Sequence, residues 1–317
     1  MPKSDSPEQY LGNPNLKSAG VEVEYTKEQI AEYIKCSKDP IYFIKNYIKI
    51  VSLDEGLVPF TMWDFQEETV EAIHNNRFVI CKFPRQTGKS TIMISYILHY
   101  VLFNDSMNVA ILANKLATAR ELLSRLQLAY EHLPKWLQQG VIAWNKGSIE
   151  LENGSKILAS ATSSSAVRGG SFNLIFLDEF AYVPHEVADE FFSSVYPTIS
   201  SGKSTKLLIV STPHGMNLFH KFWVGANKKT GELGKNDYWP VEVHWSQVPG
   251  RDEEWKKTQI ANSSLEQFQT EFECEFLGSV NTLVNASKLK TMTFQNPIGK
   301  LPEGLNIYKK PEKDRVY

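Results

Sequence analysis

The chain has 317 residues, 42% hydrophobic and 22% charged, which suits one large domain or two smaller ones around a sizeable core. A formal net charge of −2 removes any global electrostatic case for nucleic-acid binding, so a DNA contact would need a local basic patch. No apolar run is long enough to span a bilayer, no signal peptide is visible, and Cys36, Cys81 and Cys274 lack metal-ligand spacing, which reads as reduced thiols of a cytosolic protein.

Residues 1–20 are polar and rich in Pro, Ser and Asn, and read as a loose N-terminal arm. Gln66 follows in Trp63-Asp64-Phe65-Gln66. A glutamine amide can pair with both the donor and the acceptor edge of adenine, although alone it is an ordinary surface glutamine. Phe78 to Cys81 is a short apolar strand, and Thr91 to Phe103 reads as a mostly buried helix.

Between them lies Phe83-Pro84-Arg85-Gln86-Thr87-Gly88-Lys89-Ser90. The phosphate-loop pattern is G-x-x-x-x-G-K-[ST], and Phe83 stands where its first glycine belongs. The strand before and the helix after supply the context that the mechanism needs. Backbone N–H groups from Arg85 to Thr91 and the positive helix end would surround the β-phosphate. Lys89 would bridge the β- and γ-phosphates of ATP, and Ser90 would place its hydroxyl on Mg²⁺.

Val109 to Ala113 reads as the next strand, and Lys115 to His132 as an amphipathic helix. Trp144 to Leu151 and Lys156 to Ala159 read as a hairpin, with Asn153-Gly154 supplying the positive φ angles of a tight turn. Arg168 sits in a glycine-containing loop. It is either a surface charge or an arginine finger toward a neighbouring subunit.

Leu174 to Leu177 is a buried strand that ends in Asp178-Glu179. Asp178 would hold Mg²⁺, and Glu179 would orient and deprotonate the attacking water. Leu207 to Val210 is a further strand, ending in Ser211-Thr212-Pro213. That segment either lies against the γ-phosphate and moves when it leaves, or is a strand followed by a proline turn. Ser246 to Leu277 is rich in Glu, Gln and Lys with scattered aromatics and looks helical. The pairs Lys228-Lys229, Lys256-Lys257 and Lys309-Lys310 read as solvated surface.

The alternation of strands and helices argues for an α/β fold with a mainly parallel sheet covered on both faces, a P-loop NTPase of the ASCE type. The expected organisation is an arm (1–20), an ATPase core (21–245), a small helical lid (246–309) and the start of a linker (310–317).

Arg85 to Ser90, Phe176-Leu177-Asp178-Glu179-Phe180-Ala181-Tyr182-Val183-Pro184 and Ser211-Thr212-Pro213-His214-Gly215 together resemble the large terminase subunit of T-even-like tailed bacteriophages. So do Trp144 to Ser148, Ala166 to Gly169 and Asn262 to Phe268. The resemblance runs from about residue 10 to the C-terminus.

It implies an ATPase that drives double-stranded DNA into a preformed procapsid, in the cytoplasm of the host. It also implies self-association into a ring on the portal protein, a small terminase subunit as partner, and no membrane. Lys89, Ser90, Asp178 and Glu179 would form the ATP and Mg²⁺ site, Gln66 would contact adenine, and Ser211-Thr212-Pro213 would be the coupling motif. Arg85 and Arg168 would share the cis and trans arginine roles. Members also carry a C-terminal nuclease domain, and no DNA cleavage is expected of this chain. Two other readings are a helicase-like remodelling ATPase of superfamily 2 and a nucleotide-gated scaffold without turnover. A helicase calls for a second motor-like domain with its own arginine motif, and the intact Lys89, Asp178 and Glu179 set argues against a scaffold.

Overall fold

A computed structural model describes residues 8–52, 54–163, 170–277, 299–300 and 306–307. By contacts the chain divides into two units, one ending at Phe276 and one from Leu277 to Tyr317.

The first unit opens with two helices, α1 (Lys27–Lys38) and α2 (Pro40–Tyr47). Thr26 and Gln29 close a reciprocal capping box on α1, and Asp39 caps α2 with Pro40 at its first position. A small antiparallel pair follows, β1 (Lys49–Ser52) with β2 (Gly56–Pro59). Next come α3 (Asp64–Asn75), β3 (Phe78–Lys82), α4 (Lys89–Leu102), β4 (Asn108–Ala113) and α5 (Leu116–Glu131). Three strands follow in succession, β5 (Val141–Trp144), β6 (Ser148–Leu151) and β7 (Lys156–Ala161). The unit then runs through β8 (Leu174–Asp178), α6 (His185–Ser201), β9 (Lys206–Ser211), α7 (Leu218–Ala226), β10 (Trp239–Glu242), α8 (Glu253–Asn262) and α9 (Leu265–Glu271). In the second unit, β11 (Gly299–Lys300) pairs antiparallel with β12 (Asn306–Ile307).

The main sheet has the order β10-β3-β9-β8-β4-β7-β6-β5. Every pairing from β10 to β7 is parallel, and the last two are antiparallel. The central strands read as unbroken apolar runs because both faces are covered. Their side chains still alternate. Val79, Cys81, Val109, Ile111, Leu174, Phe176, Leu208 and Val210 join the core on one face. Ile80, Ala110, Leu112, Ile175, Leu177, Leu207 and Ile209 join the core on the other. α4 is buried nearly all round, since it contacts α2, α3 and α5 and is apolar on every side.

Two features position the site. β9 lies between β3 and β8, so the strand ending in Ser211 separates the phosphate-loop strand from the acidic strand. The N–H of Phe83 also donates to Ser211 O at 3.2 Å, which ties the loop to the end of β9.

Three details differ from the sequence reading. Residues 8–20 are docked where a loose arm was expected. Leu16 is buried, Lys17 pairs with Glu152 at 3.0 Å, Lys17 O accepts from Val141 N at 2.8 Å, and Ser18 bridges Val141 of β5 in parallel. Polar composition hid this because the anchor is one leucine plus backbone hydrogen bonds.

The hairpin joining β6 and β7 has positive φ only at Gly154. Gly154 N donates to Leu151 O at 3.0 Å and Leu151 N donates to Ser155 O at 2.9 Å, a three-residue connection with a glycine bulge. The Asn153 side chain is held by the carbonyls of Val101 and Asn104, so Asn153 does not enter the left-handed region. The Trp144 to Leu151 segment is also broken: β5 and β6 form a second antiparallel turn of the sheet.

The sequence reading placed no element over residues 239–242, where β10 contains Pro240. It survives at an edge, where a missing N–H is tolerated.

Candidate functional site

The phosphate loop runs from Phe83 to Gly88 between β3 and α4. Phe83 is fully buried against Phe65, with ring centroids 6.5 Å apart, so the position of the usual first glycine carries a core anchor. Thr87 is also fully buried, and its hydroxyl donates to Pro84 O at 2.9 Å. Gly88 has φ +72 and opens α4 without any side-chain cap, leaving the first-turn N–H groups to point out of the helix. Gln86 sits at φ +56, a conformation that costs a residue with a side chain about 1–2 kcal/mol.

Gln66 lies directly behind this loop and is buried. Its Nε2 donates to Thr87 O at 3.0 Å and its Oε1 accepts from Trp63 N at 2.9 Å. A Cβ at Gly88 would come within 2.6 Å of Gln66 Nε2. Glycine is therefore required there twice, by φ and by the close approach.

Lys89 reaches across to the acidic strand. Its Nζ lies 2.6 Å from Glu179 Oε1, with both side chains largely shielded. The other Glu179 oxygen, Oε2, lies 3.4 Å from the hydroxyls of both Ser211 and Thr212, and the Ser211 hydroxyl has a nearer acceptor in Thr212 O at 2.7 Å. Thr212 Oγ1 also reaches Tyr182 OH at 3.3 Å, and Ser211 Oγ accepts from Ala181 N at 3.1 Å. Glu179 adopts φ +49, so the backbone is held in a left-handed conformation at the end of β8.

Asp178 is buried, and its Oδ1 has no hydrogen-bond partner among the described residues. Burial, and then the neighbouring Glu179 charge, push its carboxyl up to about 7, while Lys89 opposes that rise. A buried, unpartnered carboxylate oxygen suits a hard cation. No group of three or more His, Cys, Asp or Glu side chains that could hold a metal occurs among the described residues. That donor set fits Mg²⁺, which is held by one or two carboxylates together with waters and substrate phosphates. Ser90 lies in the first turn of α4, half-buried, as does Thr91.

Arg85 is held by Glu271 and Tyr182. Its side chain is 57% exposed and its Nε lies 2.5 Å from Glu271 Oε2. Desolvation draws its guanidinium down, but Glu271 and then Tyr182 outweigh this and hold it above its ordinary value. Arg168 falls outside the described residues. The cysteines Cys36, Cys81 and Cys274 are buried free thiols.

Sequence reasoning missed Tyr182, Asn217, Arg251 and Glu271. Tyr182 stacks on His214 with centroids 4.5 Å apart, and Asn217 Nδ2 donates to Ala181 O at 2.6 Å, so the segment after β8 is tied to the segment after β9. Arg251 donates to the carbonyls of Arg85 and Gln86. Tyr182 was within reach, as it lies one helical turn beyond Glu179. Nothing in the charge-rich stretch around Arg251 singles that residue out.

A family model described as the N-terminal part of the T4likevirus-type terminase large subunit matches residues 80–291. The terminase large subunit of Escherichia phage T5 is 28% identical over 230 residues, which are 68% of this chain and 49% of that protein. That of Thermus virus P23-45 is 30% identical over 134 residues, 39% of this chain and 27% of that protein. The aligned stretches thus span half or less of the curated relatives' own length.

Among solved structures, the HK97 bacteriophage large terminase superposes with a TM-score of 0.63 at 16% identity, covering 83% of this chain and 59% of that one. The Thermus phage P74-26 large terminase ATPase domain gives 0.55 at 21% identity, covering 69% and 95%. A thermophilic bacteriophage large terminase in complex with ADP gives 0.51 at 13% identity, covering 68% and 54%. At these identities the likeness is one of fold.

Proposed function

Because the chain belongs to the family of T4likevirus-type terminase large subunits, in its N-terminal part, we propose that it hydrolyses ATP to power translocation of double-stranded viral DNA into a procapsid. The observation that carries this reading is the Lys89–Glu179 contact at 2.6 Å, made across the hydroxyl-bearing end of β9. It brings Lys89, the candidate phosphate-binding lysine, together with the candidate base and the candidate coupling segment.

The loop N–H groups at the start of α4 would bind the β-phosphate, and Lys89 would turn from Glu179 to the β- and γ-phosphates. That exchange leaves Glu179 to accept a proton from the attacking water, with its carboxylate still oriented by Ser211 and Thr212. Ser90 and Asp178 would hold Mg²⁺, which when bound neutralises charge on the phosphate oxygens. Gln66, whose Nε2 donates to Thr87 O and whose Oε1 accepts from Trp63 N, would take the adenine with the second N–H and the second lone pair that remain. Arg85 and Arg168 would stabilise charge on the γ-phosphate, in cis or from a neighbouring subunit. Loss of that phosphate would release Ser211-Thr212-Pro213, and Tyr182, His214 and Asn217 would carry the shift into the segment before α7.

The structure with ADP belongs to a relative of the same fold and supports nucleotide binding by analogy. The portal protein, the small terminase subunit, a ring of copies and the host cytoplasm belong to the same proposal. So do the 21–245, 246–309 and 310–317 divisions, with residues 8–20 packed on the core.

The test is ATP turnover by Glu179→Gln. Loss of a general base is expected to lower turnover by about 10²–10⁴-fold, while a fluorescent ADP analogue still binds. Equal turnover in parent and variant removes Glu179 as the base, and no turnover in the parent leaves a nucleotide-gated scaffold.

A further inference from the structure

We propose that Arg251 is a positioning residue for nucleotide binding, clamping the phosphate loop from the C-terminal helical segment. The inference rests on the ATPase reading of the loop. Arg251 Nη1 donates to Arg85 O at 3.2 Å and Nη2 donates to Gln86 O at 3.0 Å. One guanidinium therefore fixes two successive carbonyls, and with them the two peptide planes that flank the Cα of Gln86. Turning carbonyls outward toward Arg251 directs the neighbouring N–H groups the opposite way, which is how a loop makes an anion-binding concavity. Gln86 holds its left-handed φ of +56 next to this contact.

The clamp has a second jaw. Arg85 N donates to Glu271 O at 3.0 Å, and Arg85 Nε pairs with Glu271 Oε2. Both jaws adjoin one aromatic cluster, Glu271 directly preceding its member Phe272. The Arg251 guanidinium lies 4.7 Å from the centroid of Trp255 and 5.7 Å from that of Phe272. Trp255 packs edge-on against Phe272 at 5.2 Å and stacks near Trp245 at 5.7 Å, while Phe268 touches all three rings. A planar guanidinium can stack on an aromatic face and donate in its own plane at the same time, which an ammonium cannot do. The α8–α9 segment therefore reads the conformation of the phosphate loop directly, through its backbone. A change in that loop on nucleotide binding moves Arg251, and the aromatic cluster moves with it.

The test compares parent, Arg251→Ala and Arg251→Lys by titration with a fluorescent ADP analogue and by steady-state ATP turnover. Loss of the clamp is expected to weaken ADP-analogue binding and raise KM by about tenfold, the scale of one or two hydrogen bonds from a charged donor, with a smaller change in kcat. Lysine should recover only part of the affinity, since it cannot bridge both carbonyls in plane. Affinity and KM within about twofold of the parent in Arg251→Ala, or in Arg251→Lys should the alanine variant not fold, would overturn the proposal. The same holds if affinity falls only in step with the folded fraction seen by circular dichroism. A parent that binds the analogue without hydrolysing ATP ends the ATPase reading, yet the affinity comparison still decides the role of Arg251.

Discussion

At the scale of single residues, Asp178 and Glu179 show how adjacent carboxylates come to lie in different surroundings. Glu179 has three partners: an ammonium and two hydroxyls. Asp178 has an unpartnered oxygen in a buried setting, and its carboxyl is pushed up to about 7, first by burial. A carboxyl whose folded value lies above its unfolded one costs nothing at low pH, where both states hold the proton. The cost grows as pH rises from the ordinary 3.8 and is complete above about 7. Asp178→Asn should therefore raise the melting temperature of the nucleotide-free, metal-free protein by several degrees at pH 8, at about 2–4 °C per kcal/mol for domains of this order. The gain should be clearly smaller at pH 5. Thermal melts at the two pH values check this, and an equal gain at both would contradict the origin assigned to the shift.

At the scale of elements, the phosphate loop behaves as part of the core on one side, through Phe83 and Thr87, and exposes Arg85 and Gln86 on the other. Phe83 is its inward anchor, through Phe65 and Ser211 O. Phe83→Gly restores the common loop pattern and should still be harmful. Emptying a fully buried phenylalanine site costs about 3–5 kcal/mol, so the urea midpoint should fall well before any gain in nucleotide affinity appears. A variant as stable as the parent would mean that Phe83 anchors nothing.

The elements that carry the site were legible because their signals are local. An apolar run of four followed by Asp178-Glu179 reads as a strand with an acidic end, and Gly88-Lys89-Ser90 reads as a helix start. The supports were not legible, because they join residues far apart in sequence. Arg251 meets Gln86 from 165 positions away, and Gln66 meets Thr87 from 21. Nor could the position of β9 between β3 and β8 be read from periodicity, which gives strands but not their order. Arg168 belongs to the described structure at no point, and its role stays with the proposal.

At the scale of the whole molecule, charge and topology bear on how a motor would meet its track. The formal net charge of −2 leaves no overall attraction for a polyanion. Any grip on DNA then comes from a local patch and weakens as counterions compete. Double-stranded DNA should raise ATP turnover at low salt, and the stimulation should fade steeply between roughly 50 and 200 mM salt. Turnover assays with and without DNA and procapsids, across that range, decide the matter. Stimulation that is absent at low salt would count against translocation.

The two borders of the main sheet have a consequence for crowding. At one border Pro240 takes a donor out of a four-residue strand, and at the other Lys17 and Ala19 already occupy backbone groups of Val141. An open border normally invites a neighbouring chain to add its own strand, which is how sheets fuse into irreversible aggregates. Here both borders are blunted, so a neighbouring chain finds fewer free backbone groups to which it could add a strand, even at high local concentration.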